Sequence, residues 1–196
     1  MGKIQEKQMK NIEEINKASV KKILTTKKIT KFFAGDTIKM ENGILSIPVT
    51  VKSLTAHSLP SGTSFAREAW LETIVKDAEE NTIFSSGTIE GPTANLELSD
   101  TNLVLYTSNL LDSDGNTTNS VTDAFDIVPQ MLPGLSSQVH IYEISKDFSE
   151  IDQLSISVRM RFRAFKPFLL EGEHSDLLAR QPVFDIAQID IVYFIP

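Results

Sequence analysis

Between residues 154 and 164 every second residue is apolar: Leu154, Ile156, Val158, Met160, Phe162 and Ala164 alternate without a break against Ser155, Ser157, Arg159, Arg161 and Arg163. Successive side chains leave a pleated strand on opposite faces, so this period marks a strand with one face buried. A strand this long needs neighbours in its own sheet and a second apolar layer over its core face. The same period recurs at Leu45, Ile47, Val49 and Val51, set against Ser46, Pro48, Thr50 and Lys52. Pro48 has no N–H for a ladder, which places that strand at an edge or turns that position out of the sheet. Residues 70–76 and 82–86 flank Asp77-Ala78-Glu79-Glu80-Asn81 and read as a hairpin with a five-residue loop. Residues 103–107, 124–128 and 137–144 supply short strands, one helical turn is expected near 175–179, and residues 189–195 close the chain as an apolar strand. The expected fold is all-β: an antiparallel β-sandwich of about eight or nine strands, loosely immunoglobulin-like.

The first residues follow another rule. Met9, Ile12, Ile15 and Ile23 form one apolar stripe at helical spacing, so residues 4–24 predict a short amphipathic helix ahead of the sandwich. A stripe so narrow does not hold a helix alone in water, and it has to dock on the body or on another chain. The expected organisation is a basic amphipathic helical segment over 1–35 and a β-sandwich domain over 36–196. The net charge of −7 hides an asymmetry: residues 1–35 carry nine Lys and three Glu, a charge of +6, which leaves −13 on the rest. A body that acidic repels a phosphate backbone, so nucleic acid is not expected as a partner. The basic segment is suited to an anionic partner, a membrane surface, self-association with other copies, or its own acidic body. The 196 residues contain no cysteine, which rules out disulfides, thiolate metal sites and covalent c-type haem attachment within them. No apolar run approaches the roughly 20 residues of a transmembrane helix, and residues 1–8 are polar where a signal peptide carries its apolar region.

Three constellations carry recognition chemistry. His57-Ser58-Leu59-Pro60-Ser61-Gly62 follows the first long strand, and Arg67-Glu68-Ala69-Trp70 opens the next. Pro60 restricts φ and Gly62 permits positive φ, so this is a shaped loop with an imidazole at its start, which serves as a structural hydrogen-bonding group or as a metal ligand or proton carrier. Arg159, Arg161 and Arg163 project from one strand face at intervals of about 7 Å, the two-residue repeat of a strand. They suit acids on neighbouring strands or an anionic group on a partner. Asp112, Asp114 and Asn116 lie around Gly115 in a tight oxygen-rich loop, with Asp123 and Asp126 nearby in sequence. A calcium ion and a plain solvated turn both fit it, although the spacing is not that of an EF-hand. His140 sits in a strand and His174 in a polar loop, without a nucleophile elbow, a zinc spacing or a phosphate-cradling loop beside either, so no enzymatic role is expected.

Taken in order, the His57–Gly62 loop, Arg67 and Trp70-Leu71-Glu72-Thr73, Ile83-Phe84-Ser85-Ser86-Gly87, Ile127-Val128-Pro129, and Val158-Arg159-Met160-Arg161-Phe162-Arg163 with Pro167 beyond it resemble a known domain. It is the haem-free C-terminal β domain of bacterial multihaem c-type cytochromes, and the resemblance spans residues 38–196. The haem-bearing region with its C-x-x-C-H motifs is not among these residues. The resemblance implies an extracytoplasmic (periplasmic or cell-surface) sandwich with no cofactor of its own, meeting haem only through a partner. It implies an accessory or assembly module of a multihaem redox complex that binds a partner protein or its own copies, with His57 in the position of the loop histidine, within reach of a partner's haem iron, and Arg159, Arg161 and Arg163 placed for a haem propionate on that partner. An adhesive or carbohydrate-binding sandwich, ordered by calcium at the Asp112 loop, is the alternative expectation.

Overall fold

The computed structural model describes residues 30–33 and 38–195; the helix expected over 4–24 lies outside them. Within them the chain is nearly all β, in two antiparallel sheets laid face to face and not closed into a barrel. In the first sheet β3 (Ile44–Ser53) is flanked on one side by β9 (Ser137–Ser145) and on the other by both β1 (Thr30–Phe33) and β2 (Lys39–Glu41). The second sheet runs β11 (Phe184–Phe194), β10 (Gln153–Arg163), β4 (Glu68–Lys76). The far flank of β4 is shared by β5 (Thr82–Ser86) and β6 (Leu105–Leu111). Beyond β4, strand β6 continues and pairs with β7 (Thr117–Thr118) and β8 (Asp126–Gln130). One helical turn, α1 (Ser175–Leu178), follows two 3-10 turns.

The alternations read from the sequence form the core. Leu45, Ile47, Val49 and Val51 of β3 and Tyr142 and Ile144 of β9 face Ala69, Leu71 and Val75 of β4 and the apolar row from Leu154 to Phe162 of β10, in one cluster. Fully burying a large apolar side chain contributes about 1.5–3 kcal/mol, so two long strands set the layer that fixes register.

Pro48 did not place β3 at an edge: β3 is paired on both flanks. Position 48 is tolerated because β1 stops opposite Thr50 and β2 starts opposite Ser46, which leaves that stretch of the flank without ladder partners. Strand β11 begins at Phe184, five residues before the expected start, and carries a bulge: Met160 pairs with Ala187 but Arg161 pairs with Asp185. The extra residue lets Ile186 and Ala187 both pack against the core while Asp185 joins the arginine face.

Candidate functional site

The arginine row is a ladder held by the domain's own acids. In register across β10 and β4, Arg159 stands opposite Glu72, Arg161 opposite Trp70 and Arg163 opposite Glu68. Glu72 accepts from Arg159 and, at 2.5 Å, from Arg161; Asp185 accepts from Arg161 at 3.2 Å and Arg159 at 3.4 Å; Glu68 accepts from Arg163 Nε. The guanidinium carbons of Arg161 and Arg163 lie 5.7 and 5.3 Å from the centroid of the Trp70 ring, within cation–π range. Side-chain exposure falls along the row, from 31% at Arg159 to 16% at Arg161 and 0% at Arg163.

The segment after β5 covers the deep end of this ladder. Arg163 Nη1 donates to the carbonyls of Ala94 (2.6 Å) and Pro92 (3.3 Å), and Trp70 Nε1 donates to Gly87 O at 2.9 Å. Burial is the largest influence on both partners of the deep pair. It raises the Glu68 carboxyl and lowers the Arg163 guanidinium, and each opposite charge pulls back in part. The row is therefore a charge-paired structural spine that opens to solvent toward Arg159, and a small cleft of about 240 Å³ lies beside Arg161, Pro92 and Pro182.

The His57 loop is stapled across the end of the first sheet. Beyond β3, Ser53 N donates to Ser136 O (2.9 Å), Leu135 N to Thr55 O (2.8 Å), and Leu59 and Leu132 exchange backbone hydrogen bonds of 2.8 and 2.9 Å. Gly134 passes under the loop so closely that a Cβ there would lie 2.6 Å from the carbonyl carbon of Ala56. Leu59 and Pro60 are buried, and Gly62 takes a φ of +73°. Arg67 Nη1 folds back onto Ser61 O at 2.6 Å. His57 itself is exposed, and its Nδ1 lies 3.1 Å from Ser58 O. A carbonyl oxygen only accepts, so Nδ1 is the donor in this contact; among the described residues Nε2 has no hydrogen-bond partner.

The Asp112 loop closes on itself. Asp112 Oδ1 accepts from the backbone N–H of Asp114 and of Asn116, each at 2.9 Å, and Asp112 N donates to Asn116 O at 2.9 Å. The Asn116 N–H, first among these bonds, holds the Asp112 carboxyl below its usual range. Asp126, opposite Leu111, turns its Oδ1 to the N–H of Ile127. Among the described residues no group of three or more His, Asp or Glu converges as for a metal ion.

Two features escaped the sequence reading. From Asn109 to Gln130 strands β6, β7 and β8 form an arm beyond β4, and all five residues of β8 are exposed. The arm leaves Phe125 81% exposed, with Val121, Ile127 and Val128 also open. No periodicity signals its outer strand, because neither face of β8 is buried. The second feature is an inter-sheet bridge, Tyr106 Oη to His140 Nε2 at 2.7 Å. Burial lowers the His140 pKa and raises that of Tyr106. As pH falls, the unfolded chain takes up the His140 proton first, near pH 6.5. The stability this group contributes is thus present above pH 6.5 and is lost as pH falls through the lower folded value. In urea titrations from pH 8 to pH 5, the unmodified chain should lose more stability than His140→Gln, whose amide still accepts from Tyr106; parallel curves would remove His140 from the pH dependence.

No protein-family model and no curated protein sequence matches the chain. Among solved structures, its fold is similar to that of a penta-heme cytochrome c552 from Thermochromatium tepidum, with a TM-score of 0.68 at 19% sequence identity, over 87% of this chain and 41% of that one. At that identity the likeness is one of fold, and the chain spans less than half the length of that cytochrome.

Proposed function

We propose that these residues form a non-catalytic, cofactor-free β module that binds a protein partner within an extracytoplasmic multihaem redox complex, as the haem-free β part of such cytochromes. The observation that carries this reading is the shared fold with a penta-heme cytochrome over most of the chain. The 196 residues hold no cysteine, so no c-type haem is attached through thiols within them. The charges of the arginine ladder are paired with the domain's own acids, so recognition falls to the exposed loops and strands. His57 presents an imidazole from a loop fixed at both ends, and a partner's surface, or the iron or propionate of its haem, is the contact it suits.

The test is affinity purification of the tagged chain from a membrane and periplasmic extract of its native host. A haem-staining protein should co-elute, and His57→Ala, an exposed position, should weaken its capture roughly tenfold, the scale of one interfacial hot spot. Elution without a haem protein, or turnover of a substrate by the purified chain alone, would refute the proposal.

A further inference from the structure

Among the described residues, nothing covers the outer strand of the arm. Val121, Phe125, Ile127 and Val128 are exposed apolar residues on it; Phe125 is four-fifths exposed, and by strand alternation Phe125 and Ile127 share a face while Val128 takes the other. Its charged groups are Asp112, Asp114, Asp123 and Asp126, with no Lys or Arg from residue 109 to 130. Exposed apolar side chains among charges of one sign select a partner carrying apolar groups among opposite charges.

Residues 4–24 of the same chain have that composition: Met9, Ile12, Ile15 and Ile23 at helical spacing among lysines, in a segment that brings the first 35 residues to +6. The fold also brings their attachment point to the arm. Thr30 pairs with Ser53, Ser53 N bonds to Ser136 O, and the chain from Ser136 back through Leu132 leads directly into the end of β8 at Gln130. The chain enters the sandwich at the end from which the arm projects. The 29 residues ahead of Thr30 could span at most about 100 Å if extended, far more than the reach required.

We propose that residues 4–24 dock in cis on the apolar face of the arm, their isoleucines over Phe125 and Ile127 and their lysines toward the aspartates. This goes beyond the partner reading above and stands without it. A strand exposed along its whole length is otherwise open to edge pairing and aggregation, and a cover supplied by the same polypeptide suppresses that.

The cysteine-free chain gives a clean test. Full-length Ile15→Cys/Phe125→Cys is oxidised at low micromolar concentration with oxidised glutathione, which takes up the two electrons and two protons released as two thiols become one disulfide. The control is Ile15→Cys/Glu79→Cys, with its second thiol in the β4–β5 hairpin loop at the opposite end of β4. Both altered body positions are exposed, so both variants should fold. An intramolecular disulfide should form about tenfold faster in the variant carrying Phe125→Cys than in the control carrying Glu79→Cys, from the higher effective concentration, and the difference should shrink in high salt. Equal rates, no intramolecular product, or a disulfide-linked dimer in place of the monomeric product would each overturn the proposal.

Discussion

Glu68→Ala is expected to lower the unfolding free energy by about 3–5 kcal/mol, the cost of leaving one member of a buried ion pair without its partner. Arg163 has no exposed surface, and Glu68 is only 4% exposed. The carbonyls of Pro92 and Ala94 accept from Nη1 but bring no formal charge to balance the cation. Trp70 offers its ring face, which offsets a part of the loss. The sign of a second variant separates this account from simple loss of packing. Glu68→Leu/Arg163→Met removes both charges and keeps apolar volume, and it should recover most of the lost stability, because buried pairs contribute little net over apolar replacements. The measurement is urea unfolding of the three chains. A single-variant loss under about 1 kcal/mol would mean that water reaches this pair and that the ladder is solvated to its end.

Gly87→Ala should cost more than about 3 kcal/mol, from strain in the left-handed region together with a backbone clash. Gly87 has a φ of +66°, and a Cβ there would stand 2.1 Å from Leu71 O, a backbone atom of a central strand that cannot yield. The same residue accepts from Trp70 Nε1 and donates its N–H to Asp100 Oδ2 at 3.0 Å, so any shift loosens the cover of the arginine ladder. Gly115→Ala is the control: its φ is +82° but open space surrounds it, so only the conformational penalty of about 1 kcal/mol applies. If the two variants unfold at the same denaturant concentration, the close approach at Gly87 carries no weight.

Where burial is one-sided, the sequence carries the fold openly. Residues 44–53 and 153–163 alternate because one face meets the opposite sheet, and their expected bounds differ from the observed ones by a residue or so. The 77–81 hairpin was equally plain, since strand residues flank a polar loop. Legibility failed where that one-sidedness failed. The bulge in β11 places Ile186 and Ala187 side by side toward the core and breaks the two-residue period, which hid the first half of the strand. Strand β8 buries neither face, so its bounds slipped by two residues and the arm went unseen. The strand at Thr30–Phe33 lies inside the segment assigned to the basic helical region; its pairing with β3 is a long-range choice that local composition does not record. Of the candidate residues, the arginines were visible but not their acids, because Glu68 and Glu72 became partners only through the β4–β10 register.

The foundations of the arm and of the His57 loop are shared. Thr107, where β6 leaves the sandwich, donates its hydroxyl to the carbonyls of Arg67 (2.8 Å) and Ser64 (3.2 Å), and Ser64 Oγ meets Ser108 Oγ at 2.8 Å. On the other side Leu132, two residues past β8, is bonded to Leu59. The two protrusions are thereby fixed to one another as well as to the sandwich. Whatever lies on the arm is held at a set spacing from the His57 loop, and a molecule that met the loop would find it already in place and sacrifice little conformational freedom in settling there.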